Sequence, residues 1–332
     1  MRTPRCVPIA HRPGLGYLDS SPMSDAALLV PAFQAASYMQ RIAHSAKAQS
    51  EPFREWICYD DASTDGTAAA AASCGFRVIA GERNRGVSFA RNRLAEATTS
   101  DWLHFHDADD LMDADYLHHA LHAATNDIDV VLCDSSWELE DSRKRIIHWQ
   151  YRQRECAGGG LEYLVSHPVG VISALIRRSF FQKIGGFDEK MSCWEDADLF
   201  VRLAENGARF HCLEKTLVFS LRHNHGLSRN QHHCNCCRLE FLSGYAARFP
   251  KEMNHVLAEQ AEKLIPLFLM EKDSQNAKRT LQFCRSLGSS PPTTHATMLR
   301  LLKPALPALW LIRFQHLLRN SRANRLSKAN RT

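Results

Sequence analysis

Apolar runs of strand length alternate with amphipathic runs of helical length from residue 26 to about residue 221. ALLVPAF reads as a first strand, and Ser37 with Gln40 three positions on predicts a capping box opening a helix over 38–49. WICYD is a second strand, an alanine-rich helix follows and stops at Gly75, and FRVIA is a third. A helix over 87–98 leads to the strand WLHFH, and a helix over 113–124 leads to DVVLC. GVISALI is predicted as a strand, 178–184 as a short helix, 195–206 as an amphipathic helix closed by Gly207, and TLVFSL as a last strand. Such alternation predicts an α/β fold with a mostly parallel central sheet flanked by helices. Beyond it the pattern is helical, interrupted by GSSPPTT at 288–294, which predicts a C-terminal helical appendix. Three regions result: a leader over 1–24, an α/β domain over 25–230 and a helical basic region over 231–332.

Composition changes this picture little. With 332 residues, 45% hydrophobic and 23% charged, the chain has the mix of a globular protein and not of a disordered or polytopic membrane one. Eleven cysteines, an odd number, point to reduced thiols and a cytoplasmic home. The first 22 residues lack the apolar core of a signal peptide. Charge is more informative. The net +5 is segregated, because no acidic residue follows Asp273 while eleven Lys and Arg do, leaving the preceding part at −6. That tail, with Trp310, Leu311, Ile312, Phe314 and Leu317, suits a peripheral visit to an anionic membrane on its inner face. Pro304, Pro307, Lys303 and Arg313 make it a poor spanning helix.

In open α/β sheets ligands sit beyond the carboxyl ends of the strands. Here those ends are acidic: Asp60 and Asp61 follow WICY, and Asp107, Asp109 and Asp110 follow WLHFH. Carboxylates brought together repel unless a cation compensates them, and oxygen-only donors suit Mg2+ or Mn2+. Taken singly, DDASTDGT is equally a turn with a helix cap, and HDADD the acidic first turn of a helix, with Asp110 as its cap. Their order at strand ends favours the cation. HHCNCC at 232–237 offers zinc-type ligands, but they are crowded, no second cluster in the sequence completes a tetrahedron, and reduced thiols are the plainer reading.

Six segments in order, VPAFQAASYMQRIAHSAKAQ, DDASTDGT, NRGVSFARN, HDADD, GGFDE and WEDADLFVRLAENG, resemble glycosyltransferase family 2, the nucleotide-sugar-dependent enzymes of A-type fold. The resemblance covers residues 27–228. It implies that Pro31 and Phe33 with Asp60 and Asp61 hold the nucleoside, and that Arg85, Gly86 and Arg91 wall the nucleoside or diphosphate. Asp107, Ala108 and Asp109 match the DXD motif, with Asp107 and Asp109 on a divalent cation, Asp109 foremost. It implies that Asp196, paired with Glu195, is the general base on the acceptor hydroxyl. His225 stands where a histidine near the diphosphate or metal is common, with Arg222 and His223 as alternatives. Phe33-Gln34 in place of Tyr-Asn, Ala62 in place of Gly, and Arg93-Leu94 after ARN depart from the family pattern.

The resemblance implies an inverting, metal-dependent transferase of hexosyl type. It would use a nucleoside-diphosphate sugar, UDP-linked by expectation, and a saccharide or lipid-linked acceptor in cell-surface polysaccharide or lipopolysaccharide synthesis. The rival is a non-catalytic protein that binds nucleotide sugar or nucleic acid. A nucleic-acid partner is not expected, because the tail lacks interleaved aromatic platforms and the core is acidic.

Overall fold

The first strand, β1 (Ala26–Ala32), is buried along its whole length, as a continuous apolar run must be when helices cover both faces of its sheet. In the computed structural model, which describes residues 25–157, 160–222, 230–291, 307–313 and 316–317, β2 (Glu55–Asp60) lies parallel to β1 on one side with Leu29 opposite Ile57. On the other side β4 (Trp102–Phe105) runs parallel with Ala27 opposite Leu103. β3 (Arg77–Ala80) continues the parallel set beyond β2. The crossovers are α1 (Met39–Lys47), α2 (Thr67–Ser73) and α3 (Val87–Glu96). Because chain order reverses between β1 and β4, their carboxyl ends flank a switch point, where a crevice opens.

The remaining elements are β5 (Leu111–Met112), α4 (Tyr116–Ala123), β6 (Val130–Leu139), β7 (Arg145–Trp149), α5 (Gln153–Cys156), α6 (Leu161–Ser166), β8 (Ala174–Arg177), α7 (Arg178–Lys183), α8 (Glu195–Glu205) and β9 (Phe210–Arg222). The sheet order is β3-β2-β1-β4-β8-β6-β9-β5, with β7 on β6. Parallel pairing holds across the first four strands and between β6 and β9. β8 is antiparallel to both β4 and β6, and β5 to β9, so the second half of the sheet is mixed.

Three local expectations are corrected. The Ser37–Gln40 capping box does not form: α1 is entered through a 3-10 turn at Ala36–Tyr38 with no side-chain cap. Acceptors for the free amides come from another loop instead, Thr67 Oγ1 for Ala35 N–H and Asp65 Oδ2 for Ala36 N–H. The acidic run after β4 is not the first turn of a helix, since β5 intervenes and α4 begins at Tyr116 with no acid in its first turn. The strand predicted from residue 170 begins only at Ala174, after a 3-10 turn at Val171–Ser173.

The helical region contains α9 (Gln231–Ala246), α10 (Asn254–Glu262), α11 (Leu264–Met270) and α12 (Ser274–Ser286). Leu239, Leu242, Tyr245, Leu257, Ile265 and Phe268 join the same apolar cluster as the strands. The membrane-facing set in the tail is divided: Leu311 and Ile312 are buried against the protein, whereas Trp310 and Leu317 are exposed. Only the latter two are open to a surface; Phe314 lies outside the described residues. Among the described residues no helix is long and apolar enough to cross a membrane. The leader over 1–24, His223 and His225 also lie outside them.

Candidate active site

Two loops at the strand ends are laced together. Gln34, just past β1, takes Thr64 N–H on Oε1 and donates through Nε2 to Thr64 Oγ1, while its own N–H meets Ser63 Oγ. Pro31 is buried near the end of β1, beyond the Ala26–Leu29 stretch that pairs with β4, so its missing N–H breaks no ladder on that side. Phe33 stands half exposed at the rim. Asp60 accepts Ser63 N–H at 3.1 Å and Asp65 accepts Thr67 N–H and Oγ1–H, so the turn reading of DDASTDGT holds for these two aspartates.

Asp61 does something else. Its carboxylate accepts Arg85 N–H at 2.9 Å and Gly86 N–H at 2.7 Å, tying the end of β2 to the first turn of α3. Gly86 sits at φ +90°, ψ 166°, a region nearly closed to other residues. The glycine is needed for this backbone and not for close approach, since a Cβ there would meet nothing within 4 Å. Arg85 stacks on Phe89, its guanidinium carbon 3.5 Å from the ring centroid.

One helical turn further, Arg91 points into the protein with only 2% exposure. It donates to Asp107 Oδ1 at 2.9 Å, Glu195 Oε1 at 3.0 Å and Asp196 Oδ1 at 2.7 Å. The expectation of Arg91 as a nucleotide-facing wall is corrected: its guanidinium is spent on drawing the end of β4 and the start of α8 together. Asp196 also accepts Val171 N–H on its other oxygen, at 3.0 Å. Burial pushes the Asp196 carboxyl up to about 7; Arg91 opposes the rise, and the negative charges of Glu195 and Asp107 add to it. A carboxylate titrating near neutrality is matched to proton abstraction.

Asp107 and Asp109 are both part-exposed, with buried Ala108 between them. The Asp109 carbonyl accepts from Arg41, which also pairs with Glu140 at 2.6 Å. Asp110 is not a helix cap. It is buried, accepts Leu221 N–H at 2.9 Å, and burial beside Asp109 and Asp107 holds its carboxyl well above the ordinary range. Asp107 and Asp109, two part-exposed carboxylates two residues apart, are oxygen donors that fit a hard divalent cation such as Mg2+ or Mn2+. Arg222, at the end of β9, lies over the Trp137 ring.

Three of the six non-glycine residues with positive φ among the described residues flank this region: Gln34, Ala62 and Trp194. Such strain concentrates at functional sites. Ala62 at φ +64° shows why glycine suits that position better, and Trp194 at φ +69° is the turn that aims Glu195 and Asp196.

Two features escaped the sequence reading. His104, on β4, and His106, one residue past its end, are fully buried; His104 Nε2 meets His106 Nδ1 at 3.1 Å and Tyr116 Oη meets His104 Nδ1 at 2.7 Å. Burial keeps both neutral, with His106 lowered to about 4. The alternation of WLHFH placed them on one face, but nothing in the pattern showed that face to be closed. The second feature is the support behind α8. Tyr245 donates to Asp198 Oδ1 at 2.7 Å, Arg202 pairs with Asp198 at 2.6 Å, Ser192 meets His233 at 2.8 Å, and the sulfurs of Cys193 and Cys234 meet at 2.7 Å. α9 therefore braces the loop and helix that carry the acidic pair.

With this geometry in hand, comparison with known proteins finds similarity to glycosyltransferases. Residues 27–185 match the family model described as Glycosyl transferase family 2. A curated relative from Bacillus subtilis (strain 168), named "Putative glycosyltransferase EpsH", is 30% identical over 122 residues, and that match spans 35% of each chain. Among solved structures, S. aureus TarS 1-349 in complex with UDP-GlcNAc is 16% identical with a TM-score of 0.53, covering 79% of this chain and 91% of its own. The mannosyltransferase PcManGT from Pyrobaculum calidifontis, in complex with GDP-Man and Mn2+, is 19% identical with a TM-score of 0.55, covering 90% and 81%. The fold is similar to that of A-type glycosyltransferases, the family 2 model matches somewhat less than half of the chain, and the C-terminal helices pack onto the same apolar core.

Proposed function

We propose that the protein is an inverting glycosyltransferase that moves a hexosyl unit from a nucleoside-diphosphate sugar to an acceptor hydroxyl. The observation that carries this reading is Arg91: one buried cation holds Asp107, at the end of β4, beside Asp196, at the start of α8. A donor diphosphate and an acceptor base are needed on opposite sides of one anomeric carbon, and this cation sets their spacing. Phe33 and the laced loops at 33–36 and 60–67 would receive the nucleoside. Asp107 and Asp109 would hold Mg2+ or Mn2+, which when bound neutralises charge on the departing diphosphate. Asp196 would take the proton from the acceptor hydroxyl while Glu195, sharing Arg91, keeps its carboxyl basic. Displacement in line gives a product inverted at the anomeric carbon.

The known relatives support a nucleotide-sugar donor: TarS is seen with UDP-GlcNAc and PcManGT with GDP-Man and Mn2+. We favour a UDP-sugar, a saccharide or lipid-linked acceptor, and a role in surface polysaccharide or lipopolysaccharide assembly at the inner face of the membrane, reached through the basic tail. Residues 25–230 would form the catalytic unit and residues 231–332 its brace and membrane contact.

The test is a panel of nucleotide sugars with acceptor saccharides, read as nucleoside diphosphate release. Metal-dependent release that EDTA abolishes, and that Asp109→Ala and Asp196→Ala each remove, is the expected result. Tight donor binding with no turnover on any acceptor would favour the non-catalytic reading.

A further inference from the structure

Away from the cleft, α9 meets the turn between α11 and α12, and three metal-ligating side chains converge there. His232 and Cys236 are four residues apart on the first turns of α9, hence on one face. Asp273 caps α12, one oxygen accepting Asn276 N–H while the other faces His232. The donor atoms of the three residues lie within 4.8 Å of one another. His232 Nε2 is 3.7 Å from Cys236 Sγ and 3.5 Å from Asp273 Oδ2. A tetrahedral zinc ion with bonds of about 2.0–2.1 Å to nitrogen, 2.3 Å to sulfur and 2.1 Å to oxygen demands edges of about 3.5 Å and 3.4 Å between those pairs.

The surroundings are those of a metal site. The other imidazole nitrogen, Nδ1, is 2.8 Å from Glu271 Oε2, the carboxylate–histidine arrangement that fixes the ring and leaves Nε2 as the ligand. Glu271 is held in turn by Asn235 Nδ2 at 3.2 Å, and Asn276 Nδ2 donates to both Asp273 Oδ2 and Cys236 Sγ, holding the carboxylate beside the thiol. One nitrogen, one sulfur and one oxygen suit zinc and not the hard cations that the strand-end aspartates fit.

We propose that His232, Cys236 and Asp273 bind a zinc ion, with water completing the tetrahedron and Glu271 orienting the histidine. HHCNCC has no second cluster near it in the sequence; folding supplies the missing carboxylates from 271 and 273. The ion would clip the start of α9 to the α11–α12 turn. It would thereby steady the helix whose next residues, His233 and Cys234, contact Ser192 and Cys193 just ahead of the acidic pair.

The test uses the full chain carrying Asp107→Asn and Asp109→Asn, so that the cleft does not contribute metal. Zinc content after dialysis is measured by mass spectrometry, and cobalt substitution is followed by absorbance. The expected result is about one zinc per chain, and a cobalt form with tetrahedral d–d bands and a sulfur-to-cobalt charge-transfer band. Cys236→Ser should remove the charge-transfer band, His232→Ala should remove stoichiometric binding, and Glu271→Gln, a milder change suited to a chain that must stay folded, should weaken affinity about 10–100-fold. Cys234→Ser with Cys237→Ser should bind as before. No zinc on the parent chain, or zinc retained in folded His232→Ala and lost with the Cys234 and Cys237 changes, would overturn the proposal.

Discussion

Two charge clusters one turn apart on α8 are built from the same residue types in different balance. At its start one arginine, Arg91, faces three carboxylates, and two of these stay open to the cleft, Asp107 with 39% and Asp196 with 25% of its side chain exposed. A turn later Arg202 faces one carboxylate, Asp198, whose remaining oxygen is taken by Tyr245. The second cluster is neutral and closed, which is what stability asks of buried charge. The first is left with surplus negative charge and an opening, so it can accept a proton or a cation. Surplus and access, more than burial alone, separate the reactive cluster from the structural one.

Asp196→Asn breaks that contrast most severely. Transfer should fall about 10²–10⁴-fold, the usual worth of a general base, with donor affinity by calorimetry little changed. Next comes Arg91→Ala, which leaves carboxylates unpaired and should cost about 3 kcal/mol in urea unfolding, at the low end for a broken buried pair because its partners are part solvated. Manganese should restore part of that loss, and restore none in Arg202→Ala, where no surplus charge awaits a cation.

Acid should act at the end of β4 in a similar range. The folded protein holds His106 near 4 against about 6.5 unfolded, so the stability it contributes is present above pH 6.5 and lost as pH falls toward 4. For His106 alone this is about 3 kcal/mol, checked by melting temperature across that range. Tyr245→Phe in the closed cluster should cost about 1–2 kcal/mol and leave turnover near that of the parent, a large rate loss being the outcome that erases the distinction between the clusters. The mildest change is Glu195→Gln. Removing a negative neighbour lowers the Asp196 pKa, so the acid limb of the pH–rate profile should move from about 7 to lower pH.

Most of the fold and the acidic ends of β2 and β4 were legible because both are local: strand and helix periods lie along the chain, and a residue after a strand lies at a sheet edge. Roles were less legible, because they depend on what packs across. Asp60 and Asp61 are adjacent in sequence, yet one caps its own turn and the other anchors Gly86, twenty-five residues away. Arg91 could be placed near the site from its motif, but its three partners come from two other segments. The antiparallel β8 left no mark in its own residues, since strand direction is set by the route of the connection and not by composition. The bracing by Tyr245 and the gathering of His232 with Asp273 likewise belong to helix–helix packing that no spacing rule encodes.

The central claim is that the cluster around Arg91 forms one donor and metal site. Its most direct measurement is a crystal structure with Mn2+ and a nucleoside diphosphate, read from the manganese anomalous signal. The account predicts a peak at Asp107 and Asp109 bridging to the diphosphate, with the nucleoside against Phe33 and Asp61 and an open path to Asp196. A nucleotide and manganese bound away from the β1–β4 crevice, with Asp196 sealed behind Arg91, would contradict it.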